Sequence, residues 1–229
     1  MRYFDTKFKP MPAKRTKRFM SYRSNLFYKL CYGGIPRVFF DTLSKVGINI
    51  LLYDSIVERL DRDREVHVNN NLNDYEFGLL IESDMQELAA IPIRNSYESE
   101  SELRQRLDIG MKCFGAKHKD RIVSYAWYRF DSGELLNDFY PLKQDEAYMF
   151  DVNTIINYRG KGLAPYINQQ MYKLLCADGI TKLFSFTNIF NNSYIQCKMK
   201  LDAQIIEKGL LLILFKKYRY HKVFYRQST

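Results

Sequence analysis

Asn157-Tyr158-Arg159-Gly160-Lys161-Gly162-Leu163-Ala164 is the stretch that decides how this chain folds. It joins two segments of different periodicity. Before it, Ala147–Thr154 reads as a strand. After it, Leu163, Ile167, Met171, Leu174 and Leu175 recur at helical spacing, and Gly179 stands where a helix ends on a left-handed residue. The loop therefore opens a helix, whose first turn presents unpaired N–H groups and the positive end of its dipole. Gly160 and Gly162 let a ligand approach the backbone because no Cβ stands in the way, and Arg159 and Lys161 add charge. This construction suits a phosphate or pyrophosphate. Two nucleotide motifs fail here. The glycine spacing does not fit GxxxxGK[ST], and the third glycine of GxGxxG is replaced by Pro165, with no acid in Thr181–Thr187.

Working outward, Phe77–Ile81 reads as a strand and Glu82–Ala90 as a helix introduced by Ser83 and Asp84 and closed before Pro92. Ser99–Asp108 is a second, charged helix. Met111–Ala116 and Arg121–Tyr128 are strands joined by the turn Lys117–Asp120, the second with a period of two. Lys182–Thr187 is a strand, and Asn191, Asn192 and Ser193 are cap types for a short helix reaching about Lys200. Gln204–Glu207 and Leu210–Phe215 read as two strands meeting near Gly209, with Tyr220–Tyr225 as a further strand. On the N-terminal side, residues 37–60 read as helical, through Val38, Phe39, Leu43 and Val46 and then Ile50, Leu51, Ile56, Val57 and Leu60. The polar stretch Asp61–Asp74 marks a soft boundary. The fold class expected is α/β, a mixed sheet covered by helices rather than a strictly alternating parallel fold.

The segment resembles motif A of the GNAT (Gcn5-related N-acetyltransferase) superfamily, Arg/Gln-x-x-Gly-x-Gly/Ala, which Arg159-Gly160-Lys161-Gly162-Leu163-Ala164 matches in full. Tyr158 before it is also usual there. The order of strand, loop, helix, strand and Asn-containing turn extends the resemblance over roughly 77–225, with residues 1–60 outside it. The resemblance implies a mostly antiparallel central sheet with one splayed parallel pair. It divides the chain into a basic N-terminal arm and helical extension at 1–62 and a GNAT-like domain at 63–229. It also implies transfer of an acyl group, most simply acetyl from acetyl-CoA, to an amine or hydroxyl by direct attack on the thioester, with no metal.

The site residues follow by the same resemblance. The loop Arg159, Gly160, Lys161, Gly162, Leu163 and Ala164 would bind the pyrophosphate. A bulged strand end, Val152–Ile156, including Thr154 and Ile155, would pair its backbone with the pantetheine arm and hold the oxyanion. Asn188 or Asn192 would hold the cofactor arm. Tyr194 would protonate the leaving thiolate, and Asp151 or Glu146 would act as base. The facing of a strand carboxylate flips with one residue of register, so both stay open. The chain departs from the family at Leu201-Asp202-Ala203, where Leu-Gly-Phe is common, and at Ile156, where Pro is usual.

The composition of the 229-residue chain bounds its partners: 35 Lys+Arg against 26 Asp+Glu give +9. Residues 1–29 carry nine basic residues and one acid, and residues 208–229 carry six basic residues and no acid, so the middle of the chain is slightly acidic. A basic arm with Lys14, Arg15, Lys17 and Arg18 followed by Phe19, Tyr22, Phe27 and Tyr28 suits an anionic membrane face or nucleic acid. A nucleic-acid- or membrane-surface-binding module retaining this fold is therefore the alternative reading. Apolar residues at 46% allow a sizeable core. The runs Ile48–Tyr53 and Leu210–Phe215 fall far short of the ~20 residues a bilayer requires. No secretory signal is expected. Cys31, Cys113, Cys176 and Cys197 show neither a disulfide framework nor zinc spacing, and His67, His118 and His221 are dispersed. The expected location is the cytoplasm, or peripherally the inner membrane face. A small-molecule or sugar-type amine is the expected acceptor, and a homodimer is a further expectation.

Overall fold

The computed structural model describes residues 43–60, 72–91, 99–131, 141–215 and 218–227. The basic arm at 1–29, the stripe from Val38 to Phe39 and the polar stretch 61–71 lie outside the described residues. Eight strands form one sheet: β1 (Ile48–Arg59), β2 (Glu76–Leu80), β3 (Lys112–His118), β4 (Arg121–Arg129), β5 (Glu146–Thr154), β6 (Lys182–Asn188), β7 (Gln204–Leu214) and β8 (Tyr218–Arg226). Their spatial order is β2-β3-β4-β5-β6-β1-β7-β8. Each neighbouring pair is antiparallel except β5 and β6. The helices are α1 (Met85–Ala90), α2 (Glu100–Asp108), α3 (Leu163–Ala177) and α4 (Asn192–Lys200). The mixed sheet with one parallel pair, flanked by helices, is the fold class expected from the sequence.

Two cores lie on opposite faces. On one, Met85 and Leu88 of α1 and Leu103 of α2 pack against Cys113, Ile122, Tyr125 and Trp127. The α2 helix starts on a capping box: Ser99 Oγ accepts from the Glu102 N–H, and Glu102 accepts from the Ser99 N–H at 2.6 Å. On the other face, Leu163, Ile167, Met171 and Leu175 of α3 pack on Ala126, Tyr128, Ala147, Met149 and Leu183. Each buried Leu, Ile or Met among them contributes about 1.5–3 kcal/mol relative to exposure. Leu174, read as part of the stripe, stands at 41% exposure on the far side of the helix.

Two expectations are corrected. The helical reading of residues 37–60 fails over Ile48–Arg59, which is a strand between β6 and β7. From Tyr53 to Glu58 it is buried on both faces, so period-two alternation disappears and the apolar residues mimic a helical stripe. The sheet thus takes one of its inner strands from before residue 62. The two strands expected around Gly209 are one continuous strand, β7. Gly209 is not a turn. A Cβ there would lie 2.5 Å from the Tyr53 phenol oxygen, so the glycine admits the Tyr53 ring across the strand pair.

Candidate functional site

The parallel pairing of β5 with β6 runs only from Glu146↔Lys182 to Met149↔Ser185. Beyond that rung β5 continues against β4, and β6 continues against β1. The two strands therefore separate, and a gap opens between Phe150–Thr154 and Phe186–Asn188. A bulge shapes the β5 wall. The ladder with β4 steps from Trp127↔Phe150 to Tyr125↔Asn153, so Asp151 and Val152 together face Ala126, and Asp151 takes φ +46°.

The loop at the end of this wall begins with a short 3-10 turn, Ile156–Tyr158. Gly160 and Gly162 take φ +75° and +78°, a left-handed conformation that favours glycine. Gly162 is the N-cap of α3, and its carbonyl accepts from Tyr166 N at 3.2 Å. The first-turn N–H groups of Leu163 and Ala164 thus lie at the positive end of a fifteen-residue helix. Gly160 has open space where a Cβ would stand. The Arg159 Nε donates to the Thr154 carbonyl at 2.9 Å, tying the loop to the end of β5. Exposed Lys161 lies with Nζ 4.9 Å from the Tyr158 ring centre, and the Tyr158 hydroxyl is 3.0 Å from His118 Nδ1.

Leu163 is buried against the α3 core, and Val152 packs on its edge. The Thr154 hydroxyl is 2.7 Å from Ser124 Oγ, and Ile155 N donates to Val123 O at 2.9 Å. Asn188, at the end of β6, accepts from Phe190 N at 2.9 Å and shapes the turn into α4. Asn192 is the exposed first residue of α4.

The three proposed proton-transfer residues are not brought together. Tyr194, in the first turn of α4, packs on the α3 side of the sheet. Its phenol adjoins Ser185, on the last paired rung before the gap. Burial, then the charge of Glu58, pushes this phenol well above its ordinary value. Asp151 points to the α2 face, where Arg106 Nη1 pairs with it at 3.1 Å and the Tyr125 hydroxyl lies at 3.5 Å. The Arg106 guanidinium is itself held over Trp127 and Phe150, 5.0 Å and 4.9 Å from the ring centres. Glu146 is buried at the closed end of the strand pair. It accepts from Lys143 N at 3.0 Å and lies 3.6 Å from Lys182 Nζ. Four residues of strand, roughly 13 Å, separate it from the gap at Phe150.

Sequence reasoning missed Glu58 and Lys198, a fully buried ion pair 2.7 Å apart behind Tyr194. It also missed Arg106. Lys198 lies four residues after Tyr194, on the same helix face, a spacing visible in the sequence. Nothing local marks Glu58.

An acyl-CoA fits what is present. The glycine loop leaves its backbone approachable, and the pairing of β5 with β6 stops at Ser185, whose hydroxyl adjoins the Tyr194 phenol. No protein-family model and no curated protein matches the sequence. Solved structures do resemble it. The GCN5-related glucosamine N-acetyltransferase region of a fungal multi-domain GH3 β-N-acetylglucosaminidase matches with a TM-score of 0.55 at 17% identity, over 81% of this chain and 22% of that one. A protein of the GNAT family from Novosphingobium aromaticivorans matches with a TM-score of 0.52 at 17% identity, over 73% of this chain and 66% of that one. The chain spans less than two thirds of the length of either. With its one splayed parallel pair, bulged β5 and glycine loop opening α3, the protein has the fold of the GNAT superfamily.

Proposed function

We propose that the protein is an acyl-CoA-dependent N-acyltransferase that moves an acetyl group from acetyl-CoA to an amine or hydroxyl of an acceptor. The observation that carries this reading is the gap between β5 and β6, bulged on its β5 wall and followed on that side by the loop Arg159–Gly162 with two glycines at positive φ. In this reading the loop and the first turn of α3, through Leu163 and Ala164, hold the pyrophosphate. The backbone of Val152, Thr154 and Ile155 lies along the pantetheine arm. Asn188 or Asn192 borders the same arm from β6 and α4.

The thioester supplies the acyl group, and its sulfur needs a proton as it leaves. Tyr194 is our candidate to give one, because its phenol adjoins Ser185 on the last paired rung before the gap. For the base, Asp151 is favoured over Glu146, since it lies on the bulge beside the gap and Glu146 lies at the closed end. The Arg106 pair must loosen before Asp151 can accept a proton. The sheet includes β1 from before residue 62, and in this reading residues 1–29 serve attachment to an anionic surface.

Calorimetric titration with acetyl-CoA and CoA tests the reading, followed by thiol release with a panel of amines. An amino sugar heads the panel, the acceptor class named for the fungal region of like fold. Saturable acetyl-CoA binding is expected. Absence of binding to acetyl-CoA, longer acyl-CoAs and CoA alike would sink it.

A further inference from the structure

Behind Tyr194 lies a polar cluster sealed from solvent. Glu58 of β1 and Lys198 of α4 are each 0% exposed, with Nζ 2.7 Å from the carboxylate. The Tyr172 hydroxyl of α3 donates to the other carboxylate oxygen. Lys198 Nζ also lies 3.6 Å from Met149 Sδ of β5 and 5.5 Å from the centre of the Tyr194 ring. Thus β1, β5 and α4 meet at one ammonium group, and α3 reaches the carboxylate that pairs with it. Two charges removed from water cost several kcal/mol each and recover it only with good geometry, so the pair is a weak device for stability alone. It is a strong device for fixing position, because the ammonium has one place to be.

We propose that Glu58 and Lys198 position Tyr194: the carboxylate from β1 fixes the Lys198 ammonium beneath the Tyr194 ring, and the ring in turn holds its phenol at the apex of the gap between β5 and β6. The inference rests on the acyltransferase reading for its consequence, not for its geometry. Lys198 is a positioning residue, not a catalytic one. The groups that act on the phenol are Glu58 from β1, Tyr148 from β5, the Ser185 hydroxyl from β6, Cys197 from α4 and Tyr172 from α3, with the Lys198 ammonium against its ring. The carboxylate opposes ionisation of Tyr194. A strand that precedes residue 62 therefore sets both the place and the proton of a residue on the helix after β6.

The test is E58Q/K198M, which removes both charges together and leaves neither one stranded. Single variants risk unfolding, so a urea midpoint is recorded for each, and Lys198→Arg serves as the charge-conserving control. The protein is labelled with tyrosine carrying 13C at Cζ, and Tyr194→Phe assigns the signal. In the double variant the Tyr194 resonance should move, and its titration midpoint should shift with it. With any acceptor turned over by the parent protein, kcat should fall tenfold or more while KM for acetyl-CoA stays within twofold. An unmoved Tyr194 signal with an unchanged midpoint, or an undiminished kcat, overturns the proposal. Acetyl-CoA binding by the parent protein is measured alongside. Its absence overturns the acyltransferase reading, and the Tyr194 signal still decides the positioning claim.

Discussion

The loop at Arg159–Gly162 and the pair Glu58–Lys198 are two ways of placing charge in one fold. In the loop the charges are carried on short local sequence. Lys161 is exposed and the conformation is set by two glycines at positive φ. In the pair the charges are fully buried, and the partners lie 140 positions apart. Water screens the first arrangement and is absent from the second, so the same residue types carry very different energies. An exposed cation can be lost at small cost. A buried one cannot lose its partner without consequence.

The sharpest way to break the comparison is Glu58→Ala, which leaves the Lys198 ammonium buried and unpaired. It should lower stability by about 3–5 kcal/mol in urea unfolding, and a loss below 1 kcal/mol would mean that water reaches the site. Next comes Gly162→Trp. It should abolish acetyl-CoA binding in calorimetry, while left-handed strain costs the fold only about 1–2 kcal/mol. An unaltered Kd would remove the loop from the cofactor site. Tyr172→Phe deletes one hydroxyl from Glu58 and should cost about 1–3 kcal/mol, read from the same urea curves.

Alkaline pH probes the buried side alone. Burial raises the phenols of Tyr128, Tyr172 and Tyr194 well above their ordinary value, and pushes Tyr148 up to about 12. Above pH of about 10 the unfolded chain releases these protons while the folded one keeps them, so the unfolded state binds fewer protons and stability falls. Urea midpoints should not feel these phenols below pH of about 9 and should decline beyond 10. A flat profile to pH 11 would contradict the burial of these phenols. The smallest effect belongs to Lys161→Ala. It should change stability by less than about 0.5 kcal/mol and weaken acetyl-CoA binding by less than about tenfold.

What could be foreseen in the chain was what is written locally. β5, the loop, α3 and β6 announce themselves within some forty residues, because a strand pattern, two glycines and a helical stripe need no distant partner to be recognised. β1 did not. Its neighbours on both sides, and cores on both faces, turned an alternating strand into a run that helical spacing also fits. Gly209 misled for a related reason: it lies within β7, at a shift in the pairing with β8, and what requires it is a tyrosine ring arriving from β1. In the candidate site, motif positions could be named in advance, but the facing of Asp151 and the remoteness of Glu146 depended on a bulge and on where the parallel pairing stops. The Glu58–Lys198 pair exists only once β1 has been inserted.

That insertion also governs the order in which the molecule can be completed. On a ribosome β1 emerges before either of its neighbours, so one edge waits for β6 and the other for β7. Until then β6 has a vacant edge beside the parallel pair, and the β7–β8 hairpin has nothing to join. Closing such distant partners costs loop entropy before any contact repays it, which slows folding and prolongs exposure of unpaired strand edges. The late step is therefore the docking of an early-made strand, and a waiting β1 is the segment a chaperone would most need to shield.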